Sequence, residues 1–333
     1  MLRWTDPADL VWQKNLMDLM FLGMFALASG CAVVAWRRGR RIDVLVLVAA
    51  LWYGLFLELS GMMIHNSYQQ GTFVLMLDWG WVPGLRDATL MPSYVPIFYP
   101  VMLYTGFRIV DSLGITALLQ RAIAGGAIML ALDAPYIIEG GLRHVVWWTW
   151  GDWNLYQLWQ GWPAMDAWWQ TTWGAAFLFA VYRFAPTATA TPRRLLLGSL
   201  GIGGGLNVVG PLLHLPLLGV TLAGWPQWPF MGVLAVVAWG VAIRAIATGR
   251  PRAQGGAVGL VAGYVAAMGA MVIANAVYEG GLTLYIGVQA LGLLALATLV
   301  ALPYAQRRAA SSGASEREVS VGGSPREDAG LAG

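Results

Sequence analysis

Three carboxylates lie in or at the ends of long apolar runs: Glu58, Asp133 and Glu279. A carboxyl group among apolar residues is costly unless it is paired, so such acids mark a functional site by default. The chain has only three histidines, His65, His144 and His214. They fall toward the same ends of these runs as the acids. Glu58 and His65 are seven residues apart, two turns along one helix face. Asn207 and His214 have the same spacing, with Pro211 between them to free a carbonyl and bend the helix. Asn275 and Glu279 are four apart, and Asp133 and Tyr136 three apart around Pro135. Four helices thus each offer a paired polar face, and facing one another is the simplest way to satisfy them.

Tryptophan is the second signal. Nine of the 18 lie between positions 147 and 173. An interfacial aromatic belt accounts for Trp168, Trp169 and Trp173. It does not account for WWTWGDW, in which Trp147, Trp148, Trp150 and Trp153 crowd around Asp152. Indole faces attract cations, and they can wall a pocket for a flat apolar or isoprenoid chain. The substrate-binding set expected from these patterns is Trp147, Trp148, Trp150, Trp153, Tyr136, Asn207, His214 and Glu279. The catalytic set is Glu58, Asp133 and His65.

Three chemistries fit these residues. In the first, Glu58 or Asp133 keeps its proton in a dry pocket and acts as a general acid on a lipid or isoprenoid, while Trp faces stabilise the resulting cation. This is hydratase- or cyclase-like chemistry of the lyase or isomerase type, without a cofactor. In the second, a transporter or lipid-binding scaffold uses the same acids as a proton relay. In the third, His65, His144 and His214 hold a metal with a carboxylate; no metal is assigned in the first two. Membrane lipids are the expected partners, together with an apolar ligand and no nucleic acid.

The elements that must position these groups are membrane helices. The chain is 58% apolar and 11% charged, with mean hydropathy +0.61, far below the roughly one quarter charged of soluble domains. The pattern predicts an all-α polytopic transmembrane bundle of about nine spans: 16–36, 44–64, 93–110, 119–138, 166–185, 195–219, 228–248, 256–278 and 283–304. Each is near the roughly 20 residues that cross a bilayer. A short N-terminal segment, 1–15, precedes the helical domain at 16–305, and a polar tail without regular structure is expected at 306–333. The first span reads as retained, since no cleavage site follows it. Alternating sides place sixteen arginines on one face, against Arg3, Lys14, Arg86 and Arg143 on the other. The positive-inside rule then puts the N-terminus outside and the C-terminus in the cytoplasm, in a bacterial plasma membrane. The long loops 65–92 and 139–165 fall outside, where loops of that length carry function.

Other motifs exclude alternatives. The lone Cys31 rules out an internal disulfide and a cysteine metal cluster. There is no P-loop, HExxH, CxxC or DDxxD. GIGGG at 201–205 lies inside a span, where small residues favour close helix packing.

Two stretches carry a resemblance. WYGLFLELSGMMIHNSYQQGTFVLML through MPSYVPIFYPVMLYTG, and LALDAPYIIEGGLRHVVWWTWGDWNLYQLWQGWPAMDAWWQTTWG, resemble a family of polytopic membrane proteins defined as a domain of unknown function. Its pattern couples an Asp-x-Pro-Tyr helix to Trp-Trp-Thr-Trp, and the likeness covers roughly residues 45–180. The chain is also similar to the carotenoid hydratase family, through Glu58–Gly61, Val95–Pro96, Asp133/Pro135, Trp148/Trp150 and Gly161–Pro163. Here Ala134 separates Asp133 from Pro135, and the tryptophan loop is longer than in that family. That similarity implies acid-catalysed chemistry on an isoprenoid.

Overall fold

The computed structural model describes residues 2–64, 67–83, 89–141, 147–150, 157–278 and 283–321 of the chain. His65, His144, Trp153 and Glu279, all expected in the site, lie outside the described residues.

Every expected span coincides with a helix. They are α1 (Trp12–Arg37), α2 (Ile42–Glu58), α3 (Val95–Ser112), α4 (Leu118–Gly141), α5 (Ala164–Ala188), α6 (Pro192–Val209), α7 (Leu215–Leu222), α8 (Gln227–Thr248), α9 (Gly255–Tyr278) and α10 (Thr283–Val321). A 3-10 turn, Gly210–His214, joins α6 to α7 in a single passage. Seven of these passages are long and apolar enough to cross a bilayer; the chain is a helical membrane protein. The exceptions are α3 and α5. Nearly every side chain of α3 is buried, ringed by α1, α2, α4, α9 and α10. A helix shielded by other helices can carry Tyr99, Tyr104, Thr105 and Arg108 at no lipid-facing cost. The composition shift at residue 306 has no helix break to match it, because alanine, arginine and glutamate after Tyr304 are good helix formers. Helix α10 continues to Val321.

Short strands cap one end of the bundle. Strands β1 (Leu2–Trp4), β3 (Leu75–Asp78) and β4 (Leu90–Pro92) form one antiparallel sheet. Strand β2 (Tyr68–Gln70) pairs with β5 (Trp148–Trp150), Tyr68 opposite Trp150. Strands β6 (Leu158–Trp159) and β7 (Trp162–Pro163) form a hairpin through Gln160 (φ 48°) and Gly161 (φ 75°). Both turn residues have positive φ, as a two-residue hairpin turn demands. The ladders satisfy backbone groups where the chain leaves the helices. At the sheet edge, Asp78 takes hydrogen bonds from Gly80 N–H and Arg3, which hold its carboxyl below the usual range.

The opposite end gathers the arginine-bearing turns. Arg40 pairs with Asp111 at 3.0 Å, and Arg41 donates to the carbonyls of Thr189 and Ala190. Arg250 and Arg252 donate from their backbones to Gly114 and Ser112. The loops after α1, α3, α5 and α8 therefore meet at one end, as the alternation of arginines requires.

Candidate functional site

Helix α2 ends at Glu58, where the backbone loosens into a π-helical turn, Leu59–Ile64. Ser60 Oγ donates to the Leu57 carbonyl at 2.9 Å, competing with the regular ladder. Such turns are frequent at functional sites. The Glu58 side chain is buried, and both its oxygens are taken by tyrosines: Tyr99 donates at 2.8 Å, and Tyr68 donates to the second oxygen. Glycines on the same helix make room for both rings. A Cβ at Gly54 would lie 2.4 Å from Tyr99, and one at Gly61 would lie 3.3 Å from Tyr68.

The partner of Asp133 is another acid. Helices α4 and α5 pack backbone to backbone, with Gly126 so close to Thr171 that a Cβ would come within 2.2 Å of its carbonyl oxygen. Seven residues further along α4 stands Asp133; five residues earlier on α5 stands Asp166. Their carboxyls are in hydrogen-bond contact. The Trp162 indole also lies beside the Asp133 carboxyl. Trp162 Nε1–H donates to Asp166 at 3.2 Å, and Gln170 also hydrogen-bonds it.

A small cavity lies over these groups. Glu58, Asp166, Gln170 and Gln70 supply its polar wall, and Tyr68, Tyr94, Tyr99, Tyr136, Trp148, Trp150 and Trp169 supply its aromatic wall. Tyr136 donates to Tyr94 at 3.0 Å, which donates to Gln70 at 2.5 Å. Trp148 meets Tyr136 edge-on at 4.8 Å between ring centroids. Trp147 is fully buried behind this wall, packed with Trp148 over Gly140, where a Cβ would come within 2.4 Å of the Trp147 ring. Trp150 is fixed by its Nε1–H bond to the Gly161 carbonyl at 2.9 Å.

A second, more apolar crevice of about 1320 Å³ opens between α2, α5 and the α6–α7 break. It shares Tyr68, Trp150, Asp166 and Trp169 with the first cavity. Pro211 interrupts α6 as its sequence position predicts. Asn207 and His214 both line the crevice. Asn207 bridges helices by donating to the carbonyls of Tyr53 at 3.1 Å and Gly203 at 3.0 Å. Gly203 is where α6 comes closest to α2, its Cβ position 2.3 Å from the Ala49 oxygen. The His214 ring bonds the Met165 backbone, packs on Trp169 and Trp173, and keeps a buried Nε2 without a hydrogen-bond partner.

No protein-family model, curated protein or solved structure matches this chain.

The expected residues thus divide. Glu58, Tyr136, Trp148 and Trp150 line the first cavity, and Trp147 stands behind them. Asp133 lies one layer below, against Asp166. Asn207 and His214 belong to the crevice. Asn275, whose expected neighbour Glu279 lies outside the described residues, donates to Glu139, as do Tyr285 and Gln289. That fully buried cluster ties α4 to α9 and α10. The belt assignment for Trp168, Trp169 and Trp173 is also corrected. Trp173 is buried against Gly210, Trp169 donates to Tyr53 Oη at 2.8 Å, and Trp168 donates to the Leu213 carbonyl. All three point into protein because the α6–α7 passage covers them. Among the described residues, no three His, Cys, Asp or Glu side chains converge as metal ligands.

Sequence reasoning missed Asp166, Tyr68, Tyr99 and Gln170. Asp166 sits in the first turn of α5, where an acidic residue is ordinary because it faces the positive helix end. The signal that could have found it was its place four residues before Gln170, a polar pair on one face of α5.

Proposed function

We propose that this chain is a membrane enzyme that protonates and hydrates a carbon–carbon double bond of a lipid or isoprenoid. It does so at a site facing the non-cytoplasmic side of a nine-span bundle, with the N-terminus outside. The observation that carries the reading is the position of Asp166. It is a carboxyl in contact with a second carboxyl, and it lines both the aromatic cavity and the apolar crevice.

The crevice receives the apolar chain, and the cavity receives the double bond. The proton held by the Asp133–Asp166 pair passes to one alkene carbon. The cation forms on the other carbon, against the faces of Trp148, Trp150 and Trp169. The pair is left with one negative charge more, which the Trp162 and Gln170 contacts stabilise. A water molecule adds to the cation, and Glu58 takes its proton as general base, held in place by Tyr68 and Tyr99. The proton on Glu58 returns to the Asp pair through cavity water. The balance is alkene plus water giving alcohol. The similarity to carotenoid hydratases supports the same reaction class. The clustering of arginine-bearing turns at the end opposite the strands supports the orientation.

The test is a lipid comparison of cells expressing the wild-type chain or Asp166→Asn, grown in heavy water. The expected result is a lipid gaining the mass of one water, with deuterium fixed at a carbon, in wild-type cells alone. An unchanged lipid pool in wild-type cells sinks the hydration reading. Proton-coupled uptake of a solute under the same conditions would put a carrier in its place.

A further inference from the structure

A third cavity stands at the arginine-rich end of the bundle, and it shares no lining residue with the acid site. It is bounded by the C-terminal half of α1, the start of α9 and the turn that precedes α9. It is a partly open cleft rather than an enclosed chamber. Its lining is polarised. Arg38, Arg40, Arg108 and Arg252 surround one part, and Ala26, Leu27, Gly30, Cys31 and Val34 line the rest.

The charges facing it do not balance. Asp43 takes Arg108 at 2.7 Å and Arg40 at 3.2 Å, and Asp111 takes Arg40 at 3.0 Å and Gln254 at 2.7 Å. Arg38 and Arg252 form no ion pair among the described residues. Four guanidinium groups thus meet two carboxylates, an excess of two positive charges. The buried Arg108 Nε also lacks a hydrogen-bond acceptor. The N-terminus of α9 adds its positive end at Gly255 and Gly256, both in the lining. A Cβ at Gly256 would come 3.4 Å from Arg108 Nη2 and 2.8 Å from Cys31 Sγ, so the glycine keeps this corner open.

The shape selects among anions. From Arg38 down to Ala26 is twelve residues of helix, about 18 Å at 1.5 Å per residue. A free phosphate would fill only the arginine end. An acyl chain fills the remainder, and Leu27 and Val34 on that wall are 40% and 46% exposed, toward the lipid side of α1. Basic pockets between transmembrane helices at the cytoplasmic surface bind anionic headgroups by this chemistry.

We propose that this cavity binds an anionic phospholipid. Arg38 and Arg252 hold the phosphate, Arg108 and the α9 N-terminus back it, and one acyl chain lies along α1 over Gly30 and Leu27. The site is independent of the acid site and of the reaction proposed there.

The test uses the full-length protein, delipidated in a zwitterionic detergent. Phosphatidylglycerol, phosphatidylcholine with the same chains, and inorganic phosphate are each titrated while thermal unfolding is followed. Phosphatidylglycerol is expected to raise the unfolding temperature, and the other two to leave it unchanged. The double variant Arg38→Gln/Arg252→Gln removes two exposed arginines that hold no ion pair, so it is expected to fold. It should bind phosphatidylglycerol about thirtyfold more weakly, from roughly 1 kcal/mol per arginine. An equal response to phosphatidylcholine, or an unweakened response in the double variant, overturns the site. A full response to inorganic phosphate overturns the lipid as its occupant. Native mass spectrometry of the wild-type protein provides a second readout without any variant: anionic lipid adducts are expected to survive, and adducts of only neutral lipid overturn the proposal.

Discussion

Glu58 is set on the face of α2 between two glycines, and each glycine accepts the ring of a tyrosine that bonds its carboxyl. The arrangement makes two substitutions informative. Glu58→Gln keeps the shape but cannot take a proton from water. We expect the protein to accumulate and water-adduct formation to fall by at least about 100-fold, the usual range for losing a general base. Near-wild-type turnover would remove Glu58 from the reaction. Gly54→Ala leaves every polar group in place but drives a methyl into Tyr99. Overpacking of this kind costs about 1–3 kcal/mol. A lower unfolding temperature together with reduced turnover is the expected outcome; no change in either would mean that Tyr99 moves freely and does not hold Glu58. Glu58 and Asp133 were legible in the sequence because a charge inside an apolar run has no other explanation. Their partners were not. Nothing local distinguishes Tyr68, on a short strand, or Tyr99, on α3, from the other tyrosines of the chain. Glu139 was hidden for a similar reason: placed at the start of a loop it looked solvated, whereas α4 continues past it and buries it.

The helices follow from apolar run length, because hydrocarbon forces every backbone group into internal hydrogen bonds. Pro211 in α6 broke its helix where the sequence said it should. The strands were invisible for the converse reason. They are two to four residues long, too short for an alternating pattern, and two of the four pairings, β1–β3 and β2–β5, join segments distant in the chain. Yet they position two walls of the cavity, since Tyr68 and Trp150 face each other across β2 and β5. The β6–β7 turn is the point to test. Gly161 has φ 75°, and its carbonyl anchors the Trp150 indole. Gly161→Val should cost about 1–2 kcal/mol through left-handed backbone strain and release Trp150. Tryptophan fluorescence should shift to longer wavelength and turnover should fall while membrane insertion is unaffected. Unchanged fluorescence would mean that the hairpin does not hold the indole.

For the whole molecule, two ends of unlike character face opposite ways. The strand-capped end carries the acids and tyrosines, and the other end carries the arginine turns. Single cysteines introduced in a Cys31→Ala background at Trp81 and at Ala190, both exposed, separate the ends. An impermeant thiol reagent added to intact cells is expected to label position 81 and spare position 190. The reverse pattern would invert the molecule and put the acid site in the cytoplasm.

The contact between Asp133 and Asp166 also constrains how the chain is made. Helices leave the ribosome in order, and α4 emerges carrying an acid whose described partner lies on a helix not yet synthesised. Glu58 waits similarly for Tyr99 on α3. Until α5 arrives, α4 cannot be released into lipid without leaving Asp133 unpaired there, at a cost of several kcal/mol. Helices two to five must therefore be retained together beside the insertion machinery and released as a unit. The acid pair that equips the finished protein is, during biogenesis, a checkpoint that only helices two to five together can pass.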